Sequence, residues 1–360
     1  MCWIFGIEDY TRFMSMKSRT FLILGILILW LISMTTKFKY NGLVYGLDFG
    51  LFHPDGKLYT FKTLTLLGKS ELEAGTLVSD WYSTHAFKLK YFEPSSLYFD
   101  IHPLWQLYKP RVLYPILSVP FVAILGIHGM LVVPALSMLV MLFSVYLIGI
   151  KVGNEKLSFG IVFMLSISPV VNRWMFANIT DGLLTAITSI FLVSLLYIKK
   201  ANLFLFVGSV LILLASLTRT SVLQWLAICV GIYFMNQKRN AIILGFVSII
   251  FFIPSATGNL ETGILPNEQK GSFLERPIQL VGSMLKVSFY ELGQLLVLDR
   301  ILLLMLGLSV LFSVINVSRA SSRLFLLTLS ALWITGAVNG TIGVNFRYQL
   351  PLLPFIAYII

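Results

Sequence analysis

The sequence predicts an all-α protein, a polytopic transmembrane helical bundle with amphipathic helices in its first extracytoplasmic loop. Three observations carry that expectation. Of 360 residues, 57% are hydrophobic and 12% charged, with a mean hydropathy of +0.86; a soluble domain carries about 25% charged residues. The apolar residues gather in long runs that end in charges or in Pro and Gly, the signature of helical spans and not of barrel strands. Lys and Arg sit in short clusters between those runs, as membrane topology signals do. The net charge of +11 therefore points to the lipid bilayer and not to nucleic acid, for which the chain has neither a basic tail nor a basic stripe interleaved with aromatics.

Taken in order, Met1 to Arg19 precede an apolar run from Thr20 to about Thr35. Thr36-Lys37-Phe38-Lys39 follows where a signal peptide would have a small-residue cleavage site, so the run reads as a retained first helix. Further apolar runs fall at about 112–150, 157–176, 182–198, 202–218, 221–235, 241–254, 300–317, 324–338 and 350–360. That is roughly eight to ten spans in a single transmembrane domain, 1–360, without internal repeats. Two polar stretches, 37–110 and 255–299, read as extracytoplasmic loops.

Sidedness follows from the cations. With Arg12, Lys17 and Arg19 in the cytoplasm, the stretch 37–110 lies outside. The run 112–150 is long enough for one span plus a shallow piece or for two short spans. A single crossing, with Pro115 and Pro120 marking a lead-in segment in the outer leaflet, puts Lys151, Lys156, Lys199, Lys200, Lys238, Arg239, Arg319 and Arg323 all inside. The expected location is the inner or plasma membrane, with the N-terminus cytoplasmic.

On this topology the other polar residues beside the spans gather at the opposite face: Asp48, Asp55, Arg111, Arg173, Asn178, Asp181, Arg219 and Arg347. An ionisable group at membrane depth costs about 2.5–3.5 kcal/mol on insertion scales, so several on one side suggest a site. Each also has a plain structural reading. His53-Pro54-Asp55-Gly56 is a helix-start signal in which Asp55 caps the next helix, and residues 58–67 then read as an amphipathic helix on the outer surface. Thr180 or Asp181 serves equally well as an N-cap, and Asn178-Ile179-Thr180 is a formal glycosylation sequon close to the membrane. Arg111, Arg219 and Arg347 suit snorkelling, or the binding of a lipid phosphate through their planar forks. Cys2 and Cys229 lie too far apart in sequence to suggest a disulfide framework, and His53, His85, His102 and His128 lack metal-ligand spacing. No Walker A, GxGxxG or Ser-His-Asp pattern appears.

The ordered motifs resemble those of the GT-C superfamily of membrane glycosyltransferases, of the bacterial type. They are a first span followed by an outer loop with Asp48 and Pro54-Asp55-Gly56, then Pro110-Arg111-Val112-Leu113-Tyr114-Pro115, then Ser168-Pro169 with Thr180-Asp181. Leu217-Thr218-Arg219-Thr220 and Arg347-Tyr348-Gln349-Leu350-Pro351 complete the set. The adjacent acidic pair of many members is absent from the first loop, and Thr220 stands where proline is common. The resemblance implies inverting transfer of a sugar from a polyprenyl-phosphate-linked donor to a glycan, lipid or protein acceptor, in cell-envelope polysaccharide biosynthesis. By the same resemblance Asp55 or Asp48 is the general base and Asp181 orients acceptor or donor. Arg219 and Arg347 hold the lipid phosphate, with Arg111, Asn178 and Tyr348 as further substrate-binding residues. No cofactor is identifiable; a divalent cation, Mg2+ or Mn2+, is compatible with the resemblance, while the sparse acidic residues speak against a dedicated carboxylate-rich site. Two other classes stay open: a lipid-linked sugar flippase, which calls for polar residues at mid-membrane, and a catalytically inactive relative acting in assembly.

Overall fold

Apolar runs become helices nearly residue for residue. The computed structural model describes residues 16–44, 55–85, 110–152, 155–219, 221–261, 275–338 and 347–359, among which there is helix and no strand. The first run lies in α1 (Met16–Val44), and the polar stretch after it contains α2 (Gly56–Leu66) and α3 (Glu71–His85). Then come α4 (Leu113–Leu125), a 3-10 turn (Gly126–Leu131), α5 (Val132–Val152), α6 (Glu155–Ile167) and α7 (Pro169–Met175). Next in order are α8 (Thr180–Tyr197), α9 (Ala201–Ser216), α10 (Val222–Phe234) and α11 (Lys238–Glu261). The chain continues through α12 (Glu275–Leu298), α13 (Arg300–Ile315), α14 (Ala320–Val338), a 3-10 turn (Arg347–Leu352) and α15 (Leu353–Ile359). Two stretches, Leu113–Val152 and Thr180–Tyr197, are long and apolar enough to cross a membrane; Glu155–Ile167 with Pro169–Met175, bent by 70°, makes a third if read as one span.

The stretch 113–152 does not run straight. The Tyr114 hydroxyl donates to the Met130 carbonyl at 2.7 Å across 16 positions, which a continuous helix would separate by about 24 Å. Gly126, at φ +60°, turns the chain, and Gly129 lies so close to the Phe121 backbone that a methyl group there would overlap it. So α4 and the 3-10 turn form a fold-back that returns the chain to its starting level, and α5 alone runs on from there.

A second break is capped on both sides. Ser168 Oγ accepts from Val171 N at 3.1 Å, with Pro169 in the first turn of α7. The Ser168 hydroxyl donates in turn to the Asp299 carboxylate, which accepts from Leu302 N at 2.9 Å to cap α13. One buried carboxylate thus closes two helix ends.

Between the breaks the helices pack side by side, α5 on α8, α8 on α9, α9 on α11, α10 on α11 and on α14. Chain neighbours such as α8 and α9 run in opposite directions, and α5 and α8 therefore run in parallel, the Tyr197 hydroxyl donating to Leu147 O at 2.9 Å near their common end. Close approach comes from small residues, since a methyl at Gly149 would overlap Ser158 and one at Gly231 would overlap Leu324. The most enclosed helix, α8, satisfies its hydroxyls internally, Thr185 to Asp181 O at 2.8 Å and Thr188 to Leu184 O at 2.9 Å. The buried Gln224 amide donates to Thr188 Oγ1 at 3.0 Å and ties α10 to it.

This alternation sorts the connections onto two ends. At one end lie the short links after α5, α8, α10 and α13, with Lys151, Lys156, Lys199, Lys200, Lys238, Arg239, Arg319 and Arg323, exposed or half-buried. Lys151 Nζ sits 5.2 Å over the Tyr197 ring and Arg323 Cζ 4.9 Å over Phe234. The opposite end holds the start of α8, the end of α9 and the 3-10 turn at Arg347.

Two expectations need correcting. The helix at 58–67 exists as α2, but it does not lie on the surface. It packs on α3 and α4 with Leu58, Tyr59, Thr60, Phe61, Thr63 and Leu64 all buried. Its polar residues tolerate that because Thr60 and Thr63 donate to their own helix, to Gly56 O and Tyr59 O, each at 2.9 Å. The stretch 255–299 is likewise not all loop: α11 continues to Glu261 and α12 occupies 275–298.

Candidate functional site

Four of the ionisable residues singled out in the sequence meet in one chain of ion pairs. Arg347, first residue of its 3-10 turn, donates from NH1 to Asp55 Oδ2 at 2.8 Å and from Nε to Asp181 Oδ2 at 2.9 Å. The other Asp181 oxygen pairs with Arg219. The order is Asp55–Arg347–Asp181–Arg219, drawn from the start of α2, the start of α8, the end of α9 and the approach to α15. Asp181 is 1% exposed and both arginines are buried, whereas the Asp55 side chain is 27% exposed. Burial without a counter-charge is prohibitive for such groups, and each guanidinium here has its carboxylate.

The capping reading of Asp55 fails on this geometry. Asp55 does precede α2 with helical φ and ψ of −64° and −26°, but its side chain makes no cap hydrogen bond and goes to Arg347. Nor does Asp181 cap α8, whose cap residue is Ile179. Both carboxylates look like caps in sequence because a helix start is where the chain delivers a short acidic side chain to a bundle's end.

A second network, of hydroxyls, a carboxamide and the Arg111 guanidinium, holds the two carboxylate-bearing segments together. Asn178 Nδ2 donates to the Tyr82 hydroxyl at 2.6 Å, and Thr60 Oγ1 lies 3.3 Å from the same oxygen. Tyr59 OH lies 3.2 Å from Thr180 Oγ1, and Arg111 NH1 donates to Tyr59 OH at 3.3 Å. Gly56 admits the contact, since a methyl there would overlap the Asn178 carboxamide. Burial pushes the Tyr82 hydroxyl above the ordinary tyrosine range, so it stays a neutral phenol, although its bonds to Thr60 and Asn178 act the other way. Burial also lowers the Lys57 ammonium, against the opposing pull of Asp55. Two sequence motifs meet directly as well, Leu113 N donating to Leu217 O at 3.0 Å.

All but two of the predicted site residues have a described place. Asp55, Asp181, Arg219 and Arg347 share the ion chain. Arg111 and Asn178 stand in the flanking network, where the complete burial of Asn178 removes it as a glycosylation site in the folded protein. Asp48 lies outside the described residues, as does the side chain of Tyr348. Ser168 is a cap. His128 packs its ring edge-on to Trp81 at 4.6 Å. Sequence reasoning missed Tyr59, Tyr82 and Trp174, the last stacked against Arg347 at 5.6 Å. Among the described residues, no group of three or more His, Cys, Asp or Glu side chains is placed to hold a metal ion.

Compared with protein-family models, with curated proteins and with solved structures, the chain finds no match.

Proposed function

We propose that this is an integral membrane glycosyltransferase of the GT-C type, a multi-pass bundle with a cytoplasmic N-terminus, moving a sugar from a polyprenyl-phosphate donor to an acceptor hydroxyl at its extracytoplasmic face. The observation that carries the reading is the Asp55–Arg347–Asp181–Arg219 chain at the end of the bundle opposite the lysine and arginine clusters. Positive-inside bias assigns those clusters to the cytoplasm and so assigns the ion chain to the other side.

The chemistry suits the groups present. Asp55 takes the proton of the acceptor hydroxyl as its oxygen attacks the anomeric carbon. That bond forms while the bond from the anomeric carbon to the phosphate oxygen breaks, and the electron pair leaves with the lipid phosphate. The guanidiniums of Arg347 and Arg219 stabilise the departing charge, which a phosphate needs more than it needs an acid. Asp181, bound by two arginines, fixes both forks and is the positioning carboxylate. Asp55 is the base because it has the more accessible side chain. Ionic groups concentrated at one end favour interfacial chemistry over transport through the bundle.

The direct test is Asp55→Asn assayed for transfer from a polyprenyl-phosphate sugar. A general base contributes roughly 10²–10⁴-fold, so turnover should fall by at least about a hundredfold while membrane insertion and donor binding persist. Undiminished turnover removes Asp55 from the mechanism.

A further inference from the structure

At the end of the bundle that carries the ion chain, a groove of 340 Å³ opens between α1, the first 3-10 turn and α5. Its walls include Trp30 and Met34 of α1, His128 of the turn, Ala135 and Leu136 of α5, and Phe176. The volume falls in the lower range of ligand pockets, about 300–1,000 Å³, and the lining is almost wholly carbon. Ala135 stands in the first turn of α5, and Lys151 at the basic end is about 24 Å farther along the same helix.

The walls are fixed by contacts of their own. The Trp30 indole N–H donates to Ala135 O at 2.8 Å and pins α1 to α5. The Tyr114 hydroxyl on Met130 O holds the fold-back, and the His128 ring stands edge-on to Trp81 of α3. Helices in a bilayer associate through close packing, so an open space of this size forfeits contacts unless a ligand fills it. Two paths then join the groove to Asp55. From His128 the contacts pass to Trp81, whose chain neighbour Tyr82 accepts from Asn178 at 2.6 Å. From Phe176 the backbone reaches Asn178 in two residues, and the Asn178 carboxamide lies against Gly56, next to Asp55. Along that second path Phe176 and Asp55 are at most about 17 Å apart, a gap that the two side chains and a sugar head group span. Arg219 stands at the opposite end of the ion chain from Asp55.

We propose that the acceptor is itself a lipid, and that this groove holds its hydrocarbon chain while its head group offers a hydroxyl to Asp55. A carbon-lined groove in the outer leaflet takes a hydrocarbon chain and not a water-borne glycan or peptide. Its contacts lead to the base, which gives it to the acceptor and leaves the donor phosphate to Arg347 and Arg219. The inference rests on the transferase reading for the role of the lipid, but binding tests it without any transfer.

The experiment is photolabelling of the full chain in phosphatidylcholine nanodiscs. The probe is hexadecyl glucoside with a diazirine in its chain, and the labelled peptides are mapped by mass spectrometry. Label should concentrate on the segments of α1 and α5 that hold Met34 and Leu136, yield to unlabelled hexadecyl glucoside and withstand farnesyl phosphate. Ala135→Phe, which fills the groove, should abolish that labelling and leave farnesyl phosphate affinity unchanged, which also shows that the variant is folded. Leu136→Trp, at the exposed lip, should give the same loss without touching the packed interior. Displacement by farnesyl phosphate would assign the groove to the donor chain and overturn the proposal. Label spread over the lipid-facing helices and indifferent to both variants would make the groove ordinary bilayer contact, and overturns it equally. The transferase reading fails separately, through Asp55→Asn turnover, so the two failures cannot be confused.

Discussion

The two ends of the bundle use the same side chains in opposite ways. At one, Lys151, Lys238 and Arg323 sit 5.2, 5.5 and 4.9 Å over the rings of Tyr197, Tyr233 and Phe234, at or near the surface. At the other, Arg219 and Arg347 are buried and meet Asp181, with Arg347 reaching Asp55 as well. A lysine or arginine beside an apolar run is therefore not informative by its type. What distinguishes an anchor from a site is whether the cation has been taken out of solvent and matched to a carboxylate from a distant part of the chain. The anchors pair within or between neighbouring helices, whereas Arg347 and Asp55 are separated by 292 positions. A contact of that separation is costly to assemble and gives a membrane helix no anchoring that a wet lysine does not give.

Substitutions sharpen this contrast, the largest effect first. Asp181→Asn leaves Arg219 and Arg347 buried with their shared counter-charge gone, and breaking such a pair costs about 3–5 kcal/mol. Unfolding in detergent should show that loss, and adding Arg219→Gln should recover part of it by removing one stranded charge. A single variant as stable as the parent would mean that water reaches the network, and the two ends would then differ less than their burial says. Arg347→Ala acts next, on function: KM for the lipid donor should rise by about tenfold or more, the value of one charged contact, and exceed the change in acceptor KM. An unchanged donor KM makes Arg347 a brace between Asp55 and Asp181 and nothing more.

Lys37 gives the contrast a pH dependence. Its folded value of about 7 lies below the ordinary 10.5, so between those values the unfolded chain binds the extra proton. Stability should then rise as pH increases through that window, and the burden is constant and greatest below it. Thermal midpoints of the parent should climb from pH 7 to 9, and Lys37→Gln should flatten the climb. Parallel profiles would place Lys37 in water.

How much of this was legible in the sequence depends on the length of the interaction. Helix positions were legible because an apolar run in a bilayer has few other conformations open to it. The four ion-chain residues stood out because charge beside such runs is rare and costly. Their pairing was not legible, and Asp55 shows why: a short acid before a helix is locally indistinguishable from a cap, and only Arg347, far along the chain, decides its orientation. Tyr59 and Tyr82 were hidden for the converse reason. Their rings read as ordinary packing in α2 and α3, and only the polar loop at 178–180 reveals the hydroxyls as the useful part. The burial of α2 was missed because threonine looks polar in sequence, while Thr60 and Thr63 bond back to their own helix and present little else to solvent.

The smallest expected effect tests the other half of the comparison. Arg323 stacks on Phe234 and donates from NH2 to Ser318 O at 2.7 Å, joining the start of α14 to the end of α10 at the basic end. A surface cation–π contact contributes about 0.5–1 kcal/mol, so Arg323→Gln should lower the unfolding midpoint slightly and leave transfer unchanged. Replacing Phe234 by Leu should cost a similar amount, with the double variant falling short of the sum by the pair's own coupling. A loss of several kcal/mol, or a change in turnover, would mean that the basic end also carries a buried constraint tied to the site. The division of labour drawn from burial and partner chemistry would then have to give way to a bundle coupled from end to end.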